Sequence, residues 1–252
     1  RRGLQLDAVG HSRIGGVRQL RGRSSRSVPQ AGRHGRSGPM NPTDIRTKIA
    51  AFHGELAGDE HHRYRSWEHC YGYFRRAARA GVIADRDTAA LHLGFYLASW
   101  GMYRGSSFLL QRTYTVHLRV VECLASPQFA PLWEREVGAD PRDSDLVPII
   151  LAAAEAIRHA YRPIGEPTDI LATKVLLGTL GCLPACDRFF VDGFRSRGLA
   201  YSRLNRRFVE RVIVFCQDYQ AVLREEQARI KASGNVRYPL MKLVDMYFWQ
   251  SG

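Results

Sequence analysis

AALHLGFYLASWGMYRGSSFLL, residues 89–110, is the most apolar window of the chain, and its reading decides the fold. A bilayer helix needs about 20 consecutive apolar residues, and His92 and Arg104 shorten the uninterrupted run below that length. The window is therefore expected to be a core helix, opening at Asp85 or Asp87, passing Trp100 and running on to Leu124. At about 100° per residue, Trp100, Arg104, Ser107 and Gln111 fall on one polar-aromatic stripe. Gly94, Ala98, Gly101 and Gly105 form a second stripe of small residues that lets another backbone come close. An arginine on such a helix needs an acid or an anionic ligand, because an unpaired buried guanidinium costs several kcal/mol.

Outward from that window the periodicity is helical almost everywhere, and no strand alternation is present. Thr43 or Asp44 opens a first helix through Leu56, and a second runs from His61 to Ala80. SPQFAPLWEREVG is a short helix and DSDLVPIILAAAEAIRHAYR a longer one. Thr168 caps PTDILATKVLLGTLG, which stops at Gly181, and Asp187 caps the next piece. Leu204–Ala232 reads as one long amphipathic helix, and Pro239 begins the last. The expectation is an all-α single globular domain of about eight helices over residues 40–252.

Residues 1–39 differ in kind. They hold nine Arg against Asp7, with no Lys and no aromatic residue, in a Gly/Ser-rich string that cannot bury a core. The chain opens on Arg and its first Met is residue 40, so the segment is read as a disordered, non-native stretch upstream of a start at Met40. A basic nucleic-acid tail and an Arg/Ser-rich transit peptide are the alternatives. Of the net charge of +13, this segment carries +8 and leaves +5 for the rest. Net charge alone therefore does not argue for nucleic acid.

Five cysteines, an odd number in apolar surroundings, fit reduced thiols in a cytoplasmic protein. The spacing of Cys182 and Cys186 around Pro184 matches no common zinc pair. His61, His62 and His69 do not form the paired-histidine helix motif of zinc hydrolases either, so no metal and no cofactor is expected. No membrane partner is expected.

Candidate sites follow from charges in apolar settings. On HHRYRSWEHCYGYFRR, Glu68 is the natural partner of Arg104. Asp245 either pairs with Lys242 or faces the Arg104 stripe. The expected ligand pocket is thus Trp100, Arg104, Ser107, Gln111, Glu68 and Asp245, built to take a carboxylate or phosphate. Lys174 is the only cation in the apolar helix Asp169–Leu180; it either snorkels to solvent or, desolvated, serves as an amine nucleophile. Arg195, Arg197, Arg203, Arg206, Arg207 and Arg211, with Tyr201 between them, make either a solvated face or a surface for the phosphates of a nucleic acid or a phosphorylated ligand.

The strings SWEHCYGYF, YLASWGMYRGSSFLLQ, LATKVLLGTLGCLPACDRFF and YPLMKLVDMYFWQSG together resemble a family of uncharacterised bacterial proteins, over most of residues 60–252. Leu171–Phe190 also resembles the core of helix-hairpin-helix DNA glycosylases: a helix with a Thr-Lys pair, then a Pro, then an Asp opening the next helix. Where that family has a glycine-rich hairpin resembling LPGVG, this chain reads LGCLPAC. The resemblance implies a catalytic pair, Lys174 and Asp187, with the carboxylate stabilising a developing cation near the sugar of a flipped nucleotide. The leading expectation is a nucleic-acid-associated protein with glycosylase-like character. The alternative is a non-catalytic helical module that binds a small anion or a partner protein.

Overall fold

The computed structural model describes residues 40–79, 83, 85–234 and 236–252. What the sequence suggests for residues 1–39 lies outside them. The described residues are all-α and contain no strand. Eleven α-helices stand where about eight were expected: α1 (Pro42–Ala57), α2 (Arg65–Arg79), α3 (Arg86–Ser99), α4 (Leu118–Leu124), α5 (Ala130–Glu134), α6 (Val147–Tyr161), α7 (Asp169–Thr179), α8 (Arg188–Ser196), α9 (Arg206–Asp218), α10 (Gln220–Ser233) and α11 (Leu240–Trp249). Among them no helix is long and apolar enough to cross a membrane.

Two helices form the centre. Every residue of Leu171–Thr179 in α7 and of Leu240–Phe248 in α11 is buried, as expected of helices apolar on all sides. Around them, α2, α3 and α6 pack on α7, while α1, α8, α9 and α10 pack on α11. The approach of α8 to α11 is so close that a Cβ on Gly193 would lie 1.8 Å from the Phe248 carbonyl oxygen. Tyr96 of α3 uses Gly178 of α7 in the same way, its ring 2.4 Å from where a Cβ would stand.

The expected long helix through residue 124 does not form. Helix α3 stops at Ser99, and Trp100 is its C-cap. Gly101 takes φ +76° and its N–H donates to the Ala98 carbonyl, while the Met102 N–H reaches back to the Leu97 carbonyl. This is a Schellman ending, in which a left-handed glycine closes the helix. Gly105, at φ +60°, turns the chain again. The stripe of small residues read from the sequence is thus split: Gly94 stays on α3 and admits a close neighbour, a Cβ there standing 2.9 Å from Tyr114 Cβ, whereas Gly101 and Gly105 fall in the turns, and Trp100, Arg104, Ser107 and Gln111 share no helical face.

The long amphipathic helix expected over Leu204–Ala232 is likewise two. It breaks at Tyr219, which caps α9. The Tyr219 hydroxyl accepts from the Met40 N–H, and the Gln220 amide donates to the carbonyls of Gly138 and Ala139. No Gly or Pro marks the break; its cause is tertiary. All five cysteines are free thiols.

Candidate functional site

Helix α7 carries Lys174 into the core, where it is 3 % exposed. It does not snorkel, since every residue of Leu171–Thr179 is buried. A buried ammonium requires a partner, and the chain provides one thirteen residues later. After Gly181 (φ +64°) the link runs back along α7, where the Cys186 N–H donates to Thr173 Oγ1 at 3.0 Å. The next residue, Asp187, caps α8, its Oδ1 accepting from the Phe190 N–H at 3.2 Å. Its other oxygen accepts from Lys174 Nζ at 2.9 Å. One carboxylate therefore caps a helix and pairs a buried lysine.

A second pair lies deeper. On α11, Lys242 Nζ is 2.8 Å from Asp245 Oδ2, and each residue is 2 % exposed. Asp245 Oδ1 also accepts from the Ala185 N–H at 3.0 Å. Burial raises the Asp245 carboxyl above the usual carboxylate range; Lys242 opposes that rise and Asp187 adds to it. The Lys242 ammonium lies 4.9, 5.2 and 5.0 Å from the ring centroids of Phe52, Trp67 and Trp100. Lys174 Nζ is 5.2 Å from the Trp100 ring, so both ammoniums share that indole. Trp100 Nε1 is buried without a hydrogen-bond partner.

Above the outer pair opens a cleft of about 740 Å³ between the turns at 100–108 and the N-terminal ends of α7 and α8. That volume is in the range of small-molecule sites. Lys174 and Asp187 line it together with Arg104, Glu166, Arg188 and Phe189. Beneath, Asp187, Asp245, Lys242, Tyr96, Trp100 and Trp249 enclose a void with no room for a water molecule.

The Arg104 side chain is exposed and makes no hydrogen bond or ion pair among the described residues. Its guanidinium folds over Gly101, where a Cβ would meet it at 2.8 Å. Glu68 is not its partner, because that carboxylate is taken by Arg65 at 3.1 Å and the Tyr238 hydroxyl at 2.8 Å. Ser107 lines the cleft, but its hydroxyl is engaged within the turn by the Met102 carbonyl and the Leu109 N–H. Gln111 is exposed outside the cleft lining. Of the six expected pocket residues, Trp100, Arg104 and Ser107 line the cleft and Asp245 lies under it; Glu68 and Gln111 are not part of it.

The turns that carry Arg104 are anchored from below. His117, fully buried, joins the hydroxyls of Tyr103 at 2.7 Å (Nε2) and Tyr161 at 2.6 Å (Nδ1). Burial pushes the imidazole down to about 4. Phe108 seats on Gly165, where a Cβ would meet its ring at 2.4 Å.

The basic segment is mostly committed to local structure. Arg195 donates to the Tyr201 carbonyl, Arg211 to the Ala200 carbonyl, Arg197 pairs with Asp44, and Arg206 pairs with Glu210. Arg203 and Arg207 are exposed and without a partner among the described residues. The Leu204 N–H donates to Asp169 Oδ2 at 2.7 Å, which ties the chain beside Arg203 to the first turn of α7; neither Arg203 nor Arg207 lines the cleft.

Three cleft residues, Glu166, Arg188 and Phe189, were not picked out from the sequence. Phe189 is 42 % exposed, with the Arg188 guanidinium 5.1 Å from its ring. The signal was the string DRFF, where a large aromatic follows the cap outside the apolar face. Among the described residues no group of three or more His, Cys, Asp or Glu side chains could hold a metal ion. Compared with protein-family models, curated proteins and solved structures, the chain matches none.

Proposed function

We propose that the protein is nucleic-acid-associated and receives one nucleotide in the cleft, where Lys174 and Asp187 act on its glycosidic bond. The observation that carries this reading is the buried Lys174 amine held 2.9 Å from Asp187 at the floor of an open cleft. A lysine becomes a nucleophile only when a neighbour takes its proton, and Asp187 Oδ2 is in place to do so. The free amine attacks the anomeric carbon; the C1′–N bond breaks, the C1′–Nζ bond forms, and the departing base takes a proton from solvent. A further Nζ proton leaves and O4′ gains one as the sugar opens, giving a Schiff base.

The surroundings fit an extruded nucleotide, which needs a π-face and a cation for its phosphate. Phe189 supplies an exposed ring, and Arg104 and Arg188 supply guanidiniums at the same cleft. Arg203 and Arg207 add two exposed guanidiniums outside the cleft lining.

A second reading, a non-catalytic site for a small anion, is favoured by the partnerless Arg104. Affinity for single- and double-stranded oligonucleotides across a salt series separates the two. Nucleic-acid association requires binding at low ionic strength that falls steeply with salt. Retention of neither nucleic acid at low salt would remove it and leave the small-anion site.

A further inference from the structure

Two carboxylates line the cleft, and only one of them is engaged within the protein. Both oxygens of Asp187 have partners, Lys174 Nζ and the Phe190 N–H. Glu166 is exposed and makes no hydrogen bond or ion pair among the described residues, although Arg104 and Arg188 line the same cleft and are likewise without an acid partner. The backbone that carries Glu166 is held in place. It lies in the link between α6 and α7, where the Ile164 and Gly165 N–H groups both donate to the Tyr161 carbonyl, at 2.9 and 3.2 Å. Gly165 is the seat of the Phe108 ring, so the link is pressed against the turns at 100–108. Pro167 follows, and a proline narrows the backbone choices of the residue before it. Thr168 then caps α7.

A free carboxylate in a cleft that also offers guanidiniums works against an anionic ligand unless the ligand brings hydrogen-bond donors of its own, because a carboxylate only accepts. Among the bases of nucleic acids, guanine alone presents two adjacent donors, N1–H and N2–H, on its Watson–Crick edge. Adenine and cytosine set an acceptor nitrogen beside their amino group, and uracil and thymine flank their N–H with two carbonyls. Each of these would bring a lone pair against a carboxylate oxygen, which is repulsion as well as a lost bond.

We propose that the cleft selects guanine, with Glu166 as the residue that determines the choice: its two carboxylate oxygens accept from N1–H and N2–H of the base. This rests on the reading of the cleft as a nucleotide site and names the nucleotide. The other groups suit the remainder of the ligand. Phe189, 42 % exposed, offers a stacking face to a purine, and the guanidiniums of Arg104 and Arg188 suit phosphate oxygens. Lys174 and Asp187 are left for the sugar. A site that binds particular N–H groups rejects analogues without them, since its own acceptors are then left unpaired.

The test is equilibrium binding of the 5′-monophosphates of guanosine, adenosine, cytidine and uridine, and of inorganic phosphate, to the full chain by titration calorimetry. Guanosine monophosphate is expected to bind roughly ten- to a hundredfold more tightly than the other three, the span of one bidentate base contact, and more tightly than phosphate. In Glu166→Gln the preference should vanish, because the amide presents a donor where guanine also presents one. The side chain is exposed, so the substitution should leave the melting point unchanged. Equal affinity for the four nucleotides overturns the proposal and leaves a nucleotide site without base choice. Phosphate bound as tightly as guanosine monophosphate overturns it in favour of the small-anion site. A guanine preference that survives in Glu166→Gln overturns the role of that residue. Failure of all four nucleotides to bind overturns the proposal as well: oligonucleotides still retained in the salt series then place nucleic acid away from the cleft, whereas loss of both removes the nucleic-acid reading itself.

Discussion

Lys174 and Asp187 lie thirteen residues apart in the chain and 2.9 Å apart in space, because the link after Gly181 runs back along α7 and delivers Asp187 as the cap of α8. The lysine comes from a helix with no polar face, and the aspartate from a position where any good cap would serve. Their meeting, rather than either residue alone, makes the cleft chemically distinct.

Replacing Arg104 separates ligand binding from stability. The side chain is exposed and unpaired, so Arg104→Ala should change the unfolding free energy by no more than about 0.5 kcal/mol. The same variant should weaken binding of nucleic acid or a phosphorylated ligand. Urea denaturation next to a binding titration checks both. A loss of several kcal/mol would mean that the guanidinium supports the fold.

Of the two readings the sequence offers for Arg104, an acid partner or an anionic ligand, the structure provides no acid among the described residues, and the reason is local. Within WGMYRGSSF, Gly101 can be either a small residue on a helix face or the left-handed stop of a Schellman motif. Periodicity does not distinguish them; the N–H groups of Gly101 and Met102 do. The helical class, the Thr168 and Asp187 caps and the Gly181 stop were legible because each rests on a few adjacent residues. The break at Tyr219 and the pairing of Glu68 with Tyr238 were not, since their partners lie 179 and 170 residues away. Lys174 was visible as a lone cation, but its burial depended on helices that enclose it from elsewhere in the chain.

His117 makes stability depend on pH. Its folded pKa is about 4, against an ordinary value of 6.5. Between those values the unfolded chain binds more protons than the folded one, so stability is full above about pH 6.5 and falls as pH drops toward 4. The total loss from this residue is roughly 3 kcal/mol. Chemical denaturation at pH 7 and pH 4.5 measures it, and His117→Gln should lessen the difference. A pH dependence that the variant leaves unchanged would show that the imidazole is not the cause.

Gly193 is the contact on which α8 and α11 depend. A Cβ there would stand 1.8 Å from the Phe248 carbonyl oxygen and 2.9 Å from the Gly252 nitrogen, atoms of the backbone that have no rotamer to yield. Gly193→Ala should cost about 3 kcal/mol or more, at the upper end of overpacking effects. Because α8 carries the Asp187 cap, the spacing of Lys174 and Asp187 should loosen with it. Thermal unfolding checks the first effect; a melting point equal to that of the parent would mean that the helices are farther apart.

Arg203 and Arg207 are the two arginines of the basic segment with no internal duty. Replacing both with Ala should leave the melting point unchanged. It should lower the slope of log affinity against log salt by about 1.8 on duplex DNA, as for two lost phosphate contacts. Affinities from 50 to 200 mM salt are sufficient, and an unaltered slope would place the nucleic acid elsewhere.

Borohydride trapping tests the reactivity of Lys174 most directly. The full-length protein is mixed with duplex and single-stranded oligonucleotides containing an abasic site, uracil, 8-oxoguanine or an alkylated base, and the Schiff base is reduced to a stable amine. A covalent protein–DNA adduct is expected with at least one of these substrates, mapped by peptide mass spectrometry to Lys174, lost in folded Lys174→Gln and strongly reduced in Asp187→Asn. No adduct with any substrate, or an adduct of equal yield in Lys174→Gln, would contradict it.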